Sequence, residues 1–254
     1  MTLTIELTWI LAIALGALRL GAALALTPIF GSANLPAPVR VTFVVGVSAL
    51  LISALNVQPA SLPVTLFSFI AAALSELLLG ALLAFGIFTA FGVFLLAGRI
   101  MDIQLGFGVA AIIDPTSRAQ SPLLGTFLNL LAVALFFAID GHHMVIRGLA
   151  FSFEQVPPGT FVSAIDPAII VSQFGSMFIY AAALAAPVLF TILLLDVVFA
   201  VIARSMPQMN VFIVSLPLKI FVGLVTLAIS LNYIAPLVTR IFEGMFDYWH
   251  RLLS

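Results

Sequence analysis

The sequence predicts an all-α integral membrane protein made of long, partly broken helices that pair as hairpins, with a re-entrant loop containing glycine and proline near the middle. Two observations predict this class. Of the 254 residues, 63% are hydrophobic and only 7% are charged, whereas a soluble domain is about half apolar and about a quarter charged. The apolar residues also lie in runs that reach the roughly 20 residues needed to cross a bilayer.

Composition also excludes several functions. The net charge of -1 argues against a nucleic-acid partner, which would need a basic face. The absence of cysteine excludes disulfides, thiolate metal sites and a cysteine nucleophile. The sequence contains no phosphate-binding glycine motif, nucleophile elbow or paired-carboxylate arrangement. We therefore expect neither an enzyme nor a bound cofactor.

The first half of the chain contains three apolar runs. Residues 5–27 form a predicted helix that we interpret as retained rather than cleaved as a signal peptide, because the first basic residue, Arg19, lies inside the run. Residues 39–55 form the second helix. Residues 62–97 would reach about 54 Å as one helix, so this run is either two helices or one that leaves the bilayer. Its glycines recur every six residues and are interpreted as flexible points: Gly80, Gly86, Gly92 and Gly98.

The second half contains three more runs and an aromatic tail. The predicted helices span residues 122–139, 168–203 and 211–235, and the second of them is again too long for one simple crossing. Six apolar segments result when each long run is counted once. The tail is amphipathic, and its Tyr248 and Trp249 are typical of side chains at a membrane interface.

A central segment, residues 98–122, interrupts the apolar pattern. Phe107 lies between Gly106 and Gly108, and Asp114-Pro115 breaks the chain after further apolar residues. Glycine permits unusual backbone angles and proline removes an amide donor, so the segment is predicted to bend. Irregular backbone in a membrane is tolerated only where protein buries it or water lines it. The segment is therefore a candidate pore lining or gate, with an ordinary loop between two helices as the open alternative.

Four ionisable residues lie inside apolar runs, where charges usually face other protein. They are Arg19, Glu76, Asp196 and Lys219. An antiparallel hairpin turning near residues 207–208 would place Asp196 and Lys219 at the same depth, so we predict that they form an ion pair. The alternative is that each meets a different chain or water.

Small and polar residues share faces with two of these ionisable groups. Ser215, Lys219, Gly223 and Thr226 follow one helical stripe, and small residues let helices approach closely in membranes. Glu76 and Gly80 likewise share a face with Ala84. The carboxylate of Glu76 is predicted to border a packing surface rather than lipid, either as a structural hydrogen-bond acceptor or as a proton site.

The sequence Asp140-Gly141-His142-His143 is the one cluster that suggests metal chemistry. Adjacent histidines on a helix point about 100° apart, and no pair of histidines has the i, i+4 spacing of a zinc motif. We interpret Asp140 as a helix N-cap and expect no metal site.

Distinctive motifs follow one another along nearly the whole chain. They are Gly98-Arg99 with Asp102, Gln104, Gly106-Phe107-Gly108 and Asp114-Pro115, then Asp140-Gly141-His142-His143, Ser152-Phe153, Pro157, Gly159, Pro207-Gln208-Met209-Asn210-Val211-Phe212 and Pro217-Leu218-Lys219. In these motifs the chain resembles the FliR family of flagellar export-gate proteins and its virulence-secretion counterparts. The departure from the family pattern is Ser215, where glycine is expected.

The resemblance implies an assembly and a place in the cell. The family forms a core with FliP and FliQ that contains one copy of the FliR chain, works with FlhB and FlhA, and passes unfolded export substrates through a closed pore in the bacterial inner membrane, at the flagellar basal body. It implies a FliP-like part at residues 1–165, which includes the loop 98–122. A FliQ-like hairpin and the amphipathic tail follow at 166–254.

The resemblance and the local sequence together imply a plug. Its residues would be Gly106, Phe107, Gly108, Val109, Ile112 and Ile113, with Ala110 between them, because apolar constrictions close pores by excluding water and ions. Its anchors would be Arg99, Asp102, Gln104, Asp114 and Pro115. The alternative function is a proton-coupled secondary transporter with Glu76 as the proton carrier.

Overall fold

The described part of the chain is helical throughout its regular structure, which confirms the predicted all-α class. In this computed structural model, residues 7–25, 27, 36–59, 65–107, 122–160, 165–206, 208 and 211–254 are described. Their helices, numbered here in chain order, are α1 (Leu7–Ala25), α2 (Ala37–Leu55), α3 (Leu66–Leu105), α4 (Leu123–Ala138), α5 (Gly141–Gln155), α6 (Pro167–Ser205) and α7 (Val211–Leu253).

Four regions of these helices are long and apolar enough to cross a membrane. They are α2, α3, α6 and the part of α7 from Val214 to Asn232. Helices α4 and α5 bend by 74° at a short break and count as a fifth only if the bent pair is one span. The sequence predicted six apolar segments, more than the four or five candidate spans of the structure. Helix α1 is not among these spans because its apolar part is short, and α4 is not one by itself because the chain bends sharply at Asp140.

Helix α3 is one continuous helix of 40 residues. Of the two alternatives for its long apolar run, two helices or a single helix, the structure therefore contains the single helix. It continues to Leu105, so the predicted start of the central loop at Gly98 is wrong, and residues 98–105 form its last two turns. The interpretation of its glycines as flexible points is also wrong. A methyl group at Gly80 would overlap the backbone of Arg19 in α1, so the glycine allows two helices to touch.

Contacts divide the chain into two compact units. Unit 1 contains Met1–Thr89, Phe136–Gln173 and Gly244–Ser254, and unit 2 contains Ala90–Leu135 and Phe174–Glu243. This division does not follow the boundary at residue 166 between the FliP-like and FliQ-like parts. That boundary concerns relationship to other proteins, and it stays a prediction.

The aromatic tail is part of the core of unit 1. Tyr248 is 0% and Trp249 is 1% exposed, so the prediction that they lie at a membrane interface is wrong. The Trp249 indole N–H donates to the carbonyl of Leu83 at 3.0 Å, and its ring fills space that side chains at Gly86 and Gly148 would occupy. A buried indole needs a partner for its N–H, and the helix backbone supplies it here.

Candidate functional site: the anchored ends of the central segment

Helix α3 ends in a glycine cap at the start of the central segment. Gly106 has a φ of 86°, in the left-handed region. The N–H of Phe107 donates to the carbonyl of Asp102 at 3.0 Å, and the N–H of Gly106 donates to Ile103 at 3.2 Å. This pair of bonds is the Schellman arrangement, in which glycine accepts the left-handed conformation without a steric penalty. The chain direction after Leu105 is therefore set by Gly106.

The side chain of Asp102 holds the other end of the segment. Its carboxylate accepts hydrogen bonds from the backbone N–H groups of Leu124 at 3.0 Å and Gly125 at 3.2 Å, in the first turn of α4. Free N–H groups and the helix dipole favour an anion at that position. Asp102 is only 5% exposed, so water does not replace these bonds. One residue thus contacts both ends of the stretch between Phe107 and Pro122.

Two glycines bring the backbones of α3 and α4 together one turn away. A Cβ at Gly98 would overlap the backbone of Gly125. At Gly125, a Cβ would lie 3.2 Å from the carbonyl oxygen of Leu95. The two helices therefore pack backbone against backbone beside the Asp102 bonds, as small residues permit in membrane proteins.

Helix α7 contacts the last turn of α3 through a third glycine. A Cβ at Gly223 would overlap the side chain of Leu105, and Leu105 is fully buried. The predicted stripe faces inward, because Ser215 and Gly223 are buried while Lys219 and Thr226 are half-buried. The hydroxyl of Thr226 donates to the Val222 carbonyl within its own helix at 2.8 Å.

The other predicted plug and anchor residues divide into two groups. Arg99 and Gln104 are exposed on the surface of α3 and make no side-chain hydrogen bond within the described ranges, so their predicted anchoring role has no contact to support it. Phe107 is half-buried. Outside the described residues lie Gly108, Val109, Ala110, Ile112, Ile113, Asp114 and Pro115.

The hairpin of α6 and α7 contains an ion pair between Lys219 and Asp196, the two residues that the equal-depth argument brings together. The side chain of Lys219 is 19% exposed and that of Asp196 is 42% exposed. An exposed charge on a span that is otherwise apolar is unfavourable against hydrocarbon. We therefore expect protein or water beside Asp196.

A second charged pair, which sequence reasoning missed, lies at the centre of unit 1. Arg19 donates from Nε to Glu76 at 2.7 Å and from Nη2 to the other carboxylate oxygen at 3.1 Å. Both residues are 0% exposed. The sequence contained an indication of this pair. Once Asp196 is paired with Lys219, the cation Arg19 and the anion Glu76 are the two that remain of the four ionisable residues in apolar runs.

Further hydrogen bonds satisfy this pair completely. Arg19 also donates to the carbonyls of Ser152 at 2.7 Å and Val156 at 2.8 Å, and it stacks on Phe153 with 4.7 Å to the ring centroid. Glu76 accepts a third bond from the N–H of Gly159 at 2.9 Å. Of the two predicted roles of Glu76, a structural hydrogen-bond acceptor or a proton site, these contacts favour the structural acceptor. Its carboxylate connects α3 to α1 and to the turn after α5.

The break between α4 and α5 differs from the prediction. Asp140 occupies the N-cap position of α5, but its φ is 56° and its side chain makes no capping hydrogen bond. The rings of His142 and His143 lie with centroids 4.1 Å apart, and the possible ligand atoms of Asp140, His142 and His143 lie within 4.8 Å of one another. The expectation that the two histidines diverge is therefore wrong.

Comparisons with known proteins agree over most of the chain. A family model described as bacterial export proteins, family 1, matches residues 10–245. Flagellar biosynthetic protein FliR of Bacillus subtilis is 31% identical over 241 residues, 93% of this chain and 92% of that protein. The Escherichia coli protein of the same name is 28% identical over 240 residues, 93% and 90% of the two chains. Yop proteins translocation protein T of Yersinia pestis is 29% identical over 147 residues, 57% and 56%.

Proposed function

The chain belongs to the bacterial export proteins, family 1, and we propose that it is a core subunit of the flagellar type III protein export gate. In this proposal it forms, with FliP and FliQ, the closed pore that passes unfolded flagellar substrates across the inner membrane. Its function is to close that pore with residues 106–113 and to let them move aside for a passing chain. The similarity to two flagellar FliR proteins over about nine-tenths of the chain supports the flagellar assignment.

The single observation that carries the plug is the fixing of both ends of the central segment by Asp102. A plug must resist displacement by the membrane potential and by ions, so its ends need rigid supports. The cap at Gly106 and the carboxylate bonds to Leu124 and Gly125 supply them. Between the supports, the sequence offers Phe107 and aliphatic side chains, which suit an apolar constriction that excludes water.

The rival function, a proton-coupled transporter, is not supported by the geometry of Glu76. A proton carrier must exchange its proton with water or substrate. Glu76 is fully buried, paired twice with Arg19 and bonded to the Gly159 amide. Protonation would remove the charge that holds Arg19, so this carboxylate is suited to structure rather than to proton transfer.

Identification of the proteins that purify with the full-length chain after gentle extraction from inner membranes tests the assembly. We expect stable complexes with FliP-like and FliQ-like chains, and weaker association with FlhB and FlhA. Recovery of the chain only as a monomer or homo-oligomer, from cells that express all these proteins, would contradict the proposal.

Membrane conductance tests the plug. Deletion of residues 106–111 should make membranes leak ions while the complex still assembles. Phe107→Ala should give a smaller leak and keep the glycine cap. Phe67→Ala is the matched control, because Phe67 is 82% exposed at the other end of the same helix, and it should not leak. Unchanged conductance in the deletion variant, with assembly intact, would refute the plug.

A further inference from the structure

Helices α1 and α2 enclose an apolar groove in unit 1 with one charged side chain at its end. The groove has a volume of about 320 Å³. Leu18 and Leu24 of α1 and Phe43 and Val44 of α2 line its walls, and Gly21 leaves its floor open. Arg40, in the first turn of α2, is the charged residue among the described residues that line it.

Arg40 is half-buried, and among the described residues its Nε faces no hydrogen-bond acceptor. Its Nε is buried and has no hydrogen-bond partner, and no ion pair within the described ranges includes it. A buried charged donor without a partner is costly. The residue also lies near the positive end of the α2 dipole, which disfavours a cation. Both penalties disappear when an anion binds there.

The surroundings of Arg40 identify the kind of anion. Helix α2 is a candidate span of 19 residues that is mostly uncovered by the rest of the chain, and neighbouring side chains Val39, Val41 and Val45 are exposed. Lipid headgroups lie where a span begins, and basic pockets between membrane helices bind anionic headgroups. Along α1 the groove runs from Ala17 to Leu24, about 10 Å of helix, which suits part of an acyl chain.

We propose that this groove binds one anionic phospholipid, with its phosphate on the Arg40 guanidinium and an acyl chain between α1 and α2. The guanidinium forms charge-assisted, two-pronged bonds with phosphate oxygens. A zwitterionic lipid brings an ammonium group into the same positive region, so phosphatidylglycerol is favoured over phosphatidylcholine. The site is independent of the export role, because neither residues 106–113 nor the Asp102 bonds contribute to it.

Native mass spectrometry of the full-length chain tests the site. The chain is placed, in the assembly in which it purifies, in nanodiscs that contain equal amounts of phosphatidylglycerol and phosphatidylcholine, and the lipids that stay bound after release from the nanodiscs are counted. We expect one retained phosphatidylglycerol per chain in addition to any seen in every variant. Arg40→Gln should lower that occupancy about tenfold or more, as expected for loss of a charged hydrogen bond. Arg40→Lys keeps the charge but loses the two-pronged geometry, so its occupancy should lie between those of the parent and Arg40→Gln.

A matched pair of glycine substitutions tests the groove itself. A Cβ at Gly21 would lie 3.7 Å from Val44 Cγ1, an ordinary contact, so Gly21→Leu fills the groove without displacing backbone and should abolish retention. Gly46→Leu adds the same side chain on α2 where nothing lies within 4 Å, and it should bind as the parent does.

Three results would overturn the proposal. These are equal retention of both lipids by the parent chain, unchanged phosphatidylglycerol occupancy in Arg40→Gln, and unchanged occupancy in Gly21→Leu. If Arg40→Gln does not accumulate, the Gly21→Leu and Gly46→Leu comparison decides the question. Loss of phosphatidylglycerol retention with export and assembly intact would support the lipid site on its own, and a failed export proposal would leave this result unaffected.

Discussion

The buried pair of Arg19 and Glu76 allows a quantitative prediction for unit 1. Either residue alone would be an uncompensated charge in an interior where both are 0% exposed. Removing one partner of a buried ion pair costs about 3–5 kcal/mol, whereas replacing both with apolar side chains is often far less costly. We therefore expect Arg19→Met and Glu76→Met each to lower the free energy of unfolding by about 3–5 kcal/mol.

The double variant should cost much less than the sum of the single variants. Glu76→Met leaves Arg19 with the carbonyls of Ser152 and Val156, which do not neutralise its charge. Arg19→Met leaves the carboxylate with the N–H of Gly159. Removing both charges removes both charge penalties but leaves the two carbonyls and the Gly159 N–H without these partners. We therefore expect the double variant to cost about 3–7 kcal/mol, which corresponds to a coupling energy of about 3 kcal/mol, at the upper end for residues in contact.

The assay is denaturant-induced unfolding of the full-length chain in detergent, read out by loss of helical signal for the four forms of the cycle. Lys219 and Asp196 supply an internal control. Asp196 is 42% exposed whereas Arg19 and Glu76 are fully buried, so the corresponding cycle with leucine should give a smaller coupling energy than the Arg19–Glu76 cycle. Additivity of the Arg19 and Glu76 variants within about 0.5 kcal/mol would refute the structural role.

Export measurements on the same variants separate structure from proton transfer. If the pair acts by holding α1, α3 and the turn at Gly159 together, the double variant should recover export in proportion to its stability. A Glu76→Gln protein that assembles, is as stable as its parent and exports nothing would instead favour a proton carrier at this position.

Three other consequences follow from the contacts. Asp102→Ala should raise the rate of amide hydrogen exchange at Leu124 and Gly125 about tenfold or more, since each N–H loses a charged acceptor. The control is Gln104→Ala, because Gln104 is exposed on the same helix. Equal exchange rates in the two variants would contradict the capping of α4 by Asp102. Gly223→Asp should destabilise unit 2 itself by displacing Leu105, whereas half-buried Thr226→Asp should weaken assembly first, and intact complex from both would refute this. Burial raises the pKa of Tyr248 from 10.0 to about 12, so between these pH values the folded state keeps the phenol proton that the unfolded state has lost. The free energy of unfolding should therefore fall as the pH rises from about 10 to 12. Tyr248→Phe should remove this pH dependence, as measured by denaturant unfolding across that range.

Sequence reasoning succeeded for the Asp196–Lys219 pair and failed for Arg19–Glu76 for a geometric reason. A short turn between two helices fixes which residues share a depth, so positions equally distant from the turn can be compared directly. Arg19 and Glu76 lie 57 positions apart with another helix between them along the chain. No register connects them, and only the shortage of other partners pointed to the pair.

The central segment shows why helix ends are hard to place in an apolar chain. Arg99, Asp102 and Gln104 form a polar cluster that is typical of a loop, yet they lie in the last two turns of α3. The polar side chains of Arg99 and Gln104 are compatible with a helix here because they are exposed. The carboxylate of Asp102 can be buried because two backbone N–H groups in the first turn of α4 donate hydrogen bonds to it. The partner of Asp102 lies 22 positions away, beyond any local pattern. Glycines that recur every six residues do not share a face, and each meets a different neighbour, so periodicity alone could not show their role in packing.

The supports of the central segment also constrain how the proposed gate would open. Separating α3 from α4 would break the two hydrogen bonds to the Asp102 carboxylate and the backbone contact of Gly98 with Gly125. The two bonds alone would cost about 3–6 kcal/mol, at about 1.5–3 kcal/mol for each hydrogen bond to a charged group. If the proposed gate opens while these two contacts stay intact, Asp102→Ala should shift the conductance of the closed state more than it shifts the rate of export.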